Sequence, residues 1–193
     1  AVIGTGSSGI QAIPVIADEA KTLTVFQRQA NFSIPARNMP MTEEYARFWK
    51  DDYPEKRAEM RYMPNGVIRE VNDKSALEVS EEERQATYEM RWEQGTGAFL
   101  GAFNDILTNK AANDTMAEFV RGKIRATVKD PATAEILCPY THPIGTKRIC
   151  IDSGYYQTYN RENVDLVDIS EKPIQRITRE GLIVNGREFE FDS

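Results

Sequence analysis

The sequence predicts an α/β protein in which a parallel-sheet unit is interrupted by a long all-helical insertion. Three observations predict it. The apolar stretch Ala1-Val2-Ile3 runs straight into Gly4-Thr5-Gly6-Ser7-Ser8-Gly9, a G-x-G-x-x-G turn. From about residue 34 to 140 the chain is polar, charged and helical in its periodicity. From about residue 141 onward, short apolar runs of strand character return. The organisation expected is a discontinuous unit of residues 1–33 and 141–193, with residues 34–140 as the insertion.

The glycine turn explains the first elements. Gly4 permits the tight turn, Gly6 lets the backbone approach a pyrophosphate, and Gly9 lets the following helix pack closely on its strand. The start of that helix offers unpaired N–H donors and a positive dipole end to phosphates. This is a Rossmann-like fingerprint. Only three residues precede the turn, against about 5–6 for an average strand, and no initiator Met is present. The sequence therefore reads as a piece of a longer protein, cut at both ends. Ile10, Ile13, Ile16 and Ala17 give the helix an apolar side, and Pro14 inside it predicts a kink. Leu23-Thr24-Val25-Phe26 reads as the second strand.

The end of that second strand decides the cofactor. NAD-preferring sites place Asp or Glu about 20 residues past the glycines, for the ribose 2′-hydroxyl. Gln27-Arg28-Gln29 stands there instead, with Arg28 placed 24 positions after Gly4. A guanidinium suits a 2′-phosphate, so the pattern favours NADP(H); the plain alternative is a surface arginine at a strand end.

In the insertion, Pro35 and Pro40 end strand character. Thr42 predicts a helix cap for a helix running to about Met60, with Tyr45, Phe48, Trp49 and Tyr53 on its apolar side. Ser80 with Glu83 forms a capping-box pattern for a helix ending near Gly95 and carrying Tyr88 and Trp92. Phe99, Leu100, Phe103, Ile106 and Leu107 suggest another helix, and Asn113 is expected to cap one bearing Met116, Phe119, Val120 and Ile124. Asp130-Pro131 starts a short last one. The aromatic stripes are all expected in the core, and the Asp51-Asp52 and Glu81-Glu82-Glu83 runs on solvated faces. An insertion this long in a compact domain tends to serve as a lid or substrate element.

Beyond it, residues 153–159 read as a helix and Val164 to Val167 as a buried parallel strand. Ile174 to Thr178, Leu182 to Val184 and Glu188 to Phe191 alternate as short strands, with Asn185-Gly186 as a hairpin turn.

Composition excludes several classes. A net charge of −6 disfavours a general nucleic-acid binder. The apolar runs are too short for a membrane span. Cys138 and Cys150 are too few for a disulfide framework and have no metal spacing, which fits reduced thiols in a cytoplasmic protein. His142, the single histidine, has no acid or nucleophile pattern around it and reads as structural.

Several stretches together carry a family resemblance. They are residues 2–11, Val25-Phe26-Gln27-Arg28, Pro35-Ala36-Arg37-Asn38, residues 74–80, Pro143-Ile144-Gly145-Thr146-Lys147-Arg148, Tyr155-Tyr156, residues 160–164 and Leu166-Val167-Asp168. In this order they resemble the flavin-dependent Baeyer–Villiger monooxygenases, in particular the phenylacetone and steroid monooxygenase branch. The resemblance implies a fragment of an enzyme that uses NADPH, FAD and O2 to convert a ketone to an ester or lactone. The chain would be the NADP(H) domain with its helical insertion, with FAD bound mostly by segments outside it and no turnover by this piece alone.

The resemblance also assigns residues. Thr5, Gly6, Ser7, Ser8, Gly9, Ile10 and Gln11, after Gly4, match the pyrophosphate loop. Arg28 and Lys147 match the residues that bind the 2′-phosphate. Gln29 stands where many relatives have Thr, which puts a direct phosphate contact by it in question. Arg148 matches the catalytic arginine beside the flavin, where a fixed guanidinium would stabilise the negative charge that develops on oxygen. Spacing by itself reads Lys147 and Arg148 as a solvated loop pair; the flanking motif turns that reading. The alternatives are another two-dinucleotide flavoprotein, such as a flavin-containing N- or S-monooxygenase, and a non-enzymatic NADP(H)-sensing domain.

Overall fold

A computed structural model describes residues 1–63, 66–68 and 71–193. The chain begins with β1 (Val2–Ile3), turns at Gly4 with φ +98°, and enters α1 (Ser7–Glu19). A Cβ on Gly9 would lie 2.3 Å from the Gly4 carbonyl oxygen, so only glycine lets the helix sit this close to the turn. Ile10, Ile13 and Ala17 are fully buried, whereas Ile16 is 37% exposed, so the buried stripe is narrower than the apolar one. Pro14 does not end the helix. β2 (Leu23–Gln27) follows, parallel to β1 in the register Val2↔Val25.

β3 (Ser33–Pro35) then leads out to the helices. The single helix expected over residues 43–60 is two, α2 (Glu43–Lys50) and α3 (Tyr53–Met60). Pro54 has no N–H for an upstream carbonyl and is tolerated only in a first turn, so a new helix starts there. Thr42 caps α2, accepting from Tyr45 N at 3.2 Å. The aromatic stripe of this pair is a further correction: Tyr45, Phe48 and Tyr53 are each more than half exposed, and neither helix buries a residue. α4 (Glu81–Gln94) is capped as predicted by Ser80, which accepts from Glu83 N, and ends at Gly95 with φ +67°. The expected helix around Phe99 is a 3-10 turn, Thr96–Gly101, continued by irregular turns; glycines at 97 and 101 disfavour an α-helix. α5 (Lys110–Thr127) is capped by Asn109 and not by Asn113, which lies one turn inside and is buried. α6 (Pro131–Leu137) starts at Asp130, which accepts from Thr133 N at 2.8 Å.

The excursion returns at β4 (Cys150–Asp152), which pairs in parallel with β3 as Ser33↔Cys150 and Pro35↔Asp152. The strands that leave and re-enter the parallel unit thus lie side by side. α7 is one turn, Tyr155–Thr158, shorter than expected. β5 (Val164–Asp168) pairs in parallel with β2, giving the order β1-β2-β5. Only Val164 in it is buried; Asp165 and Asp168 are exposed, so the strand is not the fully buried one predicted. β6 (Ile174–Ile177), β7 (Gly181–Val184) and β8 (Arg187–Glu190) form an antiparallel sheet. Asn185 (φ 50°) and Gly186 (φ 74°) make the tight β7–β8 turn the sequence signals.

One continuous core joins the sheet unit to the insertion, from Ile10, Ile13 and Val25 through Tyr155 to Tyr88, Phe103 and Met116. A smaller cluster of Phe26, Ile169, Leu182 and Val184 fixes the antiparallel sheet against β2.

Candidate dinucleotide site

The site forms where β1 and β2 end. Ile10 is the first residue of α1 whose N–H reaches a carbonyl in the helix, that of Gly6 at 2.9 Å. The N–H groups of Ser7, Ser8 and Gly9 are therefore available to an anion. Gly6 is extended and exposed, supplies no side-chain cap, and has open space where a Cβ would be. That is room for a phosphate against bare backbone. Ile10 is different: its side chain is core and its N–H is spent inside the helix, so it supports the loop and has nothing to offer a ligand. Gln11 is exposed in the next part of α1. Thr5 is 3% exposed. Its hydroxyl lies 3.2 Å from Gln27 Oε1 and 3.1 Å from the Gln29 carbonyl, and it can donate to one at a time. Asn31 Nδ2 donates to the Thr5 carbonyl at 2.8 Å. The glycine turn is thus braced from β2 and the residues after it.

A cleft of about 640 Å³ opens beside this turn, lined by Gly4, Gly6, Arg28, Gln29, Lys147, Ile169 and Ile174 among others. Among the described residues, two cations and no carboxylate line it. Arg28 is exposed, and no ion pair engages it among the described residues. Lys147 is exposed as well, and its ammonium donates to Gln29 Oε1, while Gln29 Nε2 donates to Thr141 Oγ1. Another cleft, about 520 Å³, lies at the opposite end of β2 near Ala1, Lys21, Glu180 and Asp192. It has no glycine turn and its walls carry acids, and ligands of open α/β sheets bind at the carboxyl ends of strands. We therefore place the candidate ligand in the first cleft.

The loop of residues 141–149 carries Lys147 and Arg148. It is pinned at its centre by Asn113 of α5, whose Nδ2 donates to the Ile144 carbonyl at 2.8 Å and to Ile106 at 2.9 Å, while its Oδ1 accepts from Ile144 N at 3.0 Å. His142 packs edge-on against Phe32, centroids 5.5 Å apart. Partial burial, and then the Lys147 charge, pull its pKa below the ordinary imidazole value, so it is neutral at neutral pH. Arg148 is exposed and does not line the cleft that holds Arg28 and Lys147. Two residues on, buried Cys150 receives the Ser7 hydroxyl at 3.5 Å, tying β4 to the start of α1. Cys138 and Cys150 are both free thiols, and burial pushes Cys138 up to about 11. Among the described residues no cluster of His, Cys, Asp or Glu could hold a metal, and no helix is long and apolar enough to cross a membrane.

No protein-family model matches the chain. Individual relatives do. A cyclohexanone 1,2-monooxygenase of Acinetobacter is 42% identical over 197 residues, 99% of this chain and 35% of that protein. The structure of an oxidised steroid monooxygenase bound to NADP superposes with a TM-score of 0.93 at 52% identity, covering 99% of this chain and 36% of the other. The chain is homologous to one part of the Baeyer–Villiger monooxygenases. A phenazine N-monooxygenase of Lysobacter antibioticus is 41% identical over 194 residues, again 99% of this chain and 36% of that protein. The chain thus spans about a third of the length of the curated relatives it matches.

Against the Baeyer–Villiger pattern, the fold brings the glycine turn, Arg28, Gln29 and Lys147 to one cleft and leaves Arg148 outside it. Sequence reasoning missed Asn113 as the anchor of the Lys147 loop, because an Asn near a helix start reads first as a cap. It also missed Gln27. That side chain is buried at 2% exposure and donates to the Ile136 carbonyl of α6 at 2.7 Å, joining the glycine turn to the insertion. A polar residue directly after the apolar run Leu23–Phe26, still within the strand, was the available signal.

Proposed function

We propose that this chain is the NADP(H)-binding part of an FAD- and NADPH-dependent Baeyer–Villiger monooxygenase, built of residues 1–33 and 141–193 with the helical residues 34–140 between them. The enzyme would insert one oxygen atom of O2 beside a ketone carbonyl, giving an ester or lactone, NADP+ and water, in a cytoplasmic setting. One observation carries the reading: Arg28 and Lys147 line one cleft beside the open backbone of Gly6, with no carboxylate among its described lining residues. An anion with two separated phosphate groups fits that arrangement. The pyrophosphate would rest on the N–H groups of Ser7, Ser8 and Gly9, and the 2′-phosphate between the guanidinium and the ammonium. NAD(H), which lacks the 2′-phosphate, would leave both cations unpaired.

When bound, NADPH supplies the hydride and FAD supplies the ring that activates oxygen. The residues of this chain bind, orient and polarise. Arg148 carries a planar guanidinium with several N–H donors, and its exposed position leaves it free to face a group held by other segments. There it would stabilise negative charge developing on the transferred oxygen. The insertion contributes through Asn113, which fixes the Lys147 loop, and through the Ile136 carbonyl, which accepts from Gln27 beside the glycine turn.

A second reading has its own observation, the N-monooxygenase relative at 41% identity. The cofactor site would serve nitrogen oxidation equally well. Product analysis with a cyclic ketone and with an aromatic N-heterocycle separates the two.

The cofactor reading is tested with Arg28→Ala in the full-length protein. Its KM for NADPH should rise by about tenfold or more, the scale of a charge-assisted hydrogen bond, with that for NADH little changed. Equal losses with both cofactors would refute it. For Arg148→Ala, hydride consumption should persist while ester formation falls by about 10²–10³, typical of removing one donor to a developing anion. Unchanged ester formation would remove Arg148 from the chemistry.

A further inference from the structure

Gln29 follows Arg28 at the end of β2 and is half-buried. Its carboxamide is occupied within the protein. Oε1 accepts from Lys147 Nζ, and Nε2 donates to Thr141 Oγ1. The polarity is forced, since a lysine ammonium can only donate and the amide oxygen must face it. Thr141 and Lys147 are the two feet of the loop whose middle, Ile144, is pinned to Asn113. One side chain therefore bonds both feet. Its own carbonyl oxygen lies 3.1 Å from the Thr5 hydroxyl, which links the staple to the glycine turn.

Lys147 needs such a partner. It is exposed, its four-carbon stem is flexible, and no carboxylate pairs with it among the described residues. Fixing the rotamers of a lysine costs entropy, and a site in which that cost has been met before the ligand arrives binds more tightly. A neutral amide suits the task, because it orients an ammonium without cancelling its charge.

We propose that Gln29 is a positioning residue for cofactor selectivity. It holds the Lys147 ammonium beside Arg28, so that the 2′-phosphate meets two preset cations, and it acts through Lys147 rather than by touching the phosphate itself. The inference rests on the NADP(H) reading above and deepens it.

The test is a double-mutant cycle in the full-length protein, reading Kd for NADP+ and for NAD+ by calorimetric titration. Gln29→Leu should weaken NADP+ by about tenfold, the scale of one hydrogen bond to a charged group, and leave NAD+ within about twofold. Gln29→Glu should weaken NADP+ at least as much as Lys147→Met, because the new carboxylate pairs with the ammonium and repels the phosphate. In a Lys147→Met background, Gln29→Leu should change NADP+ affinity by less than about twofold, since the two residues act as one unit. Losses that multiply across the cycle would mean that Gln29 contacts the phosphate independently, and equal losses for NADP+ and NAD+ would mean a general structural role; either overturns the proposal. If Gln29→Leu does not fold, Gln29→Asn, which keeps the amide and shortens its reach, carries the same cycle. Should the unaltered protein bind NADP+ no better than NAD+, the cofactor reading itself falls; a clear preference with a multiplicative cycle removes only the role of Gln29.

Discussion

Two helical stretches of the insertion carry aromatic residues at the spacing of an apolar face, and they end in opposite places. Tyr88 and Trp92 of α4 meet Phe99, Phe103 and Phe119 in one buried cluster, with ring centroids 5.4–6.3 Å apart for the contacts of Tyr88. Tyr45, Phe48 and Tyr53 of α2 and α3 stay more than half exposed. Their contacts are local: Phe48 packs edge-on to Trp49 at 5.3 Å, and the Lys56 ammonium sits 4.4 Å above the Phe48 ring. The sequence signal is the same in both. What differs is a neighbour. α4 lies against α5 and the 3-10 turn, while α2 and α3 bury nothing in this chain. Apolar periodicity shows that a helix has an apolar side, and it does not show that anything in the chain covers that side.

The comparison breaks most easily at the buried cluster. Phe103→Ala should cost about 3–5 kcal/mol, the usual range for emptying a buried aromatic site, read as a shift of the urea midpoint. A cost below about 1 kcal/mol would mean that the cluster is no better packed than the exposed stripe. Asn113→Ala tests how the buried region holds the cofactor loop. It strands the Ile144 N–H and two carbonyls, at about 1–3 kcal/mol for an unsatisfied buried group. Amide exchange at Ile144 should quicken more than in α4; uniform quickening would leave Asn113 as packing only.

The exposed stripe sharpens the contrast from the other side. Phe48→Ala and Tyr45→Ala should each shift stability by no more than about 0.5 kcal/mol, as surface changes do. A cost of core size for either would mean that the stripe is covered in solution. The smallest effect belongs to the intermediate aromatic, His142, half-buried against Phe32. Its folded pKa lies below the ordinary value of 6.5, so just below that value the unfolded chain holds the proton more readily. Its contribution is present above pH 6.5 and is lost as pH falls through the lower folded pKa. The stability difference between the unaltered protein and His142→Gln should therefore shrink from pH 7.5 to 5, and a flat difference would show that His142 does not feel its surroundings.

Much of the framework was legible in short stretches of sequence. Gly4 and Gly9 announced the turn and the close helix because no other residue fits a φ of +98° or a Cβ 2.3 Å from a carbonyl. Thr42, Ser80 and Asp130 announced their helices because a cap acts on an N–H three residues away. At α5 the same rule misled: Asn113 precedes apolar residues, but it is buried beside Ile144, and Asn109 caps the helix one turn earlier. Arg28 was legible as a cation at a strand end, and Lys147 as part of a motif. That both reach one site followed only from the family resemblance, and that no acid among the described residues lines the cleft with them was not legible at all.

The residues themselves settled whatever depends on a few neighbours along the chain: the glycine turn, the caps, the Asn185-Gly186 hairpin, and a cation in place of the acid after β2. Steric and hydrogen-bonding preferences over two to four residues are enough for each. Packing decided the rest. It chose which aromatic face is covered, paired Ser33 with Cys150 to bring both ends of the insertion together, and set Gln29 against Lys147, 118 positions away. Such contacts depend on how every intervening element fills space, and no local pattern of residues encodes that.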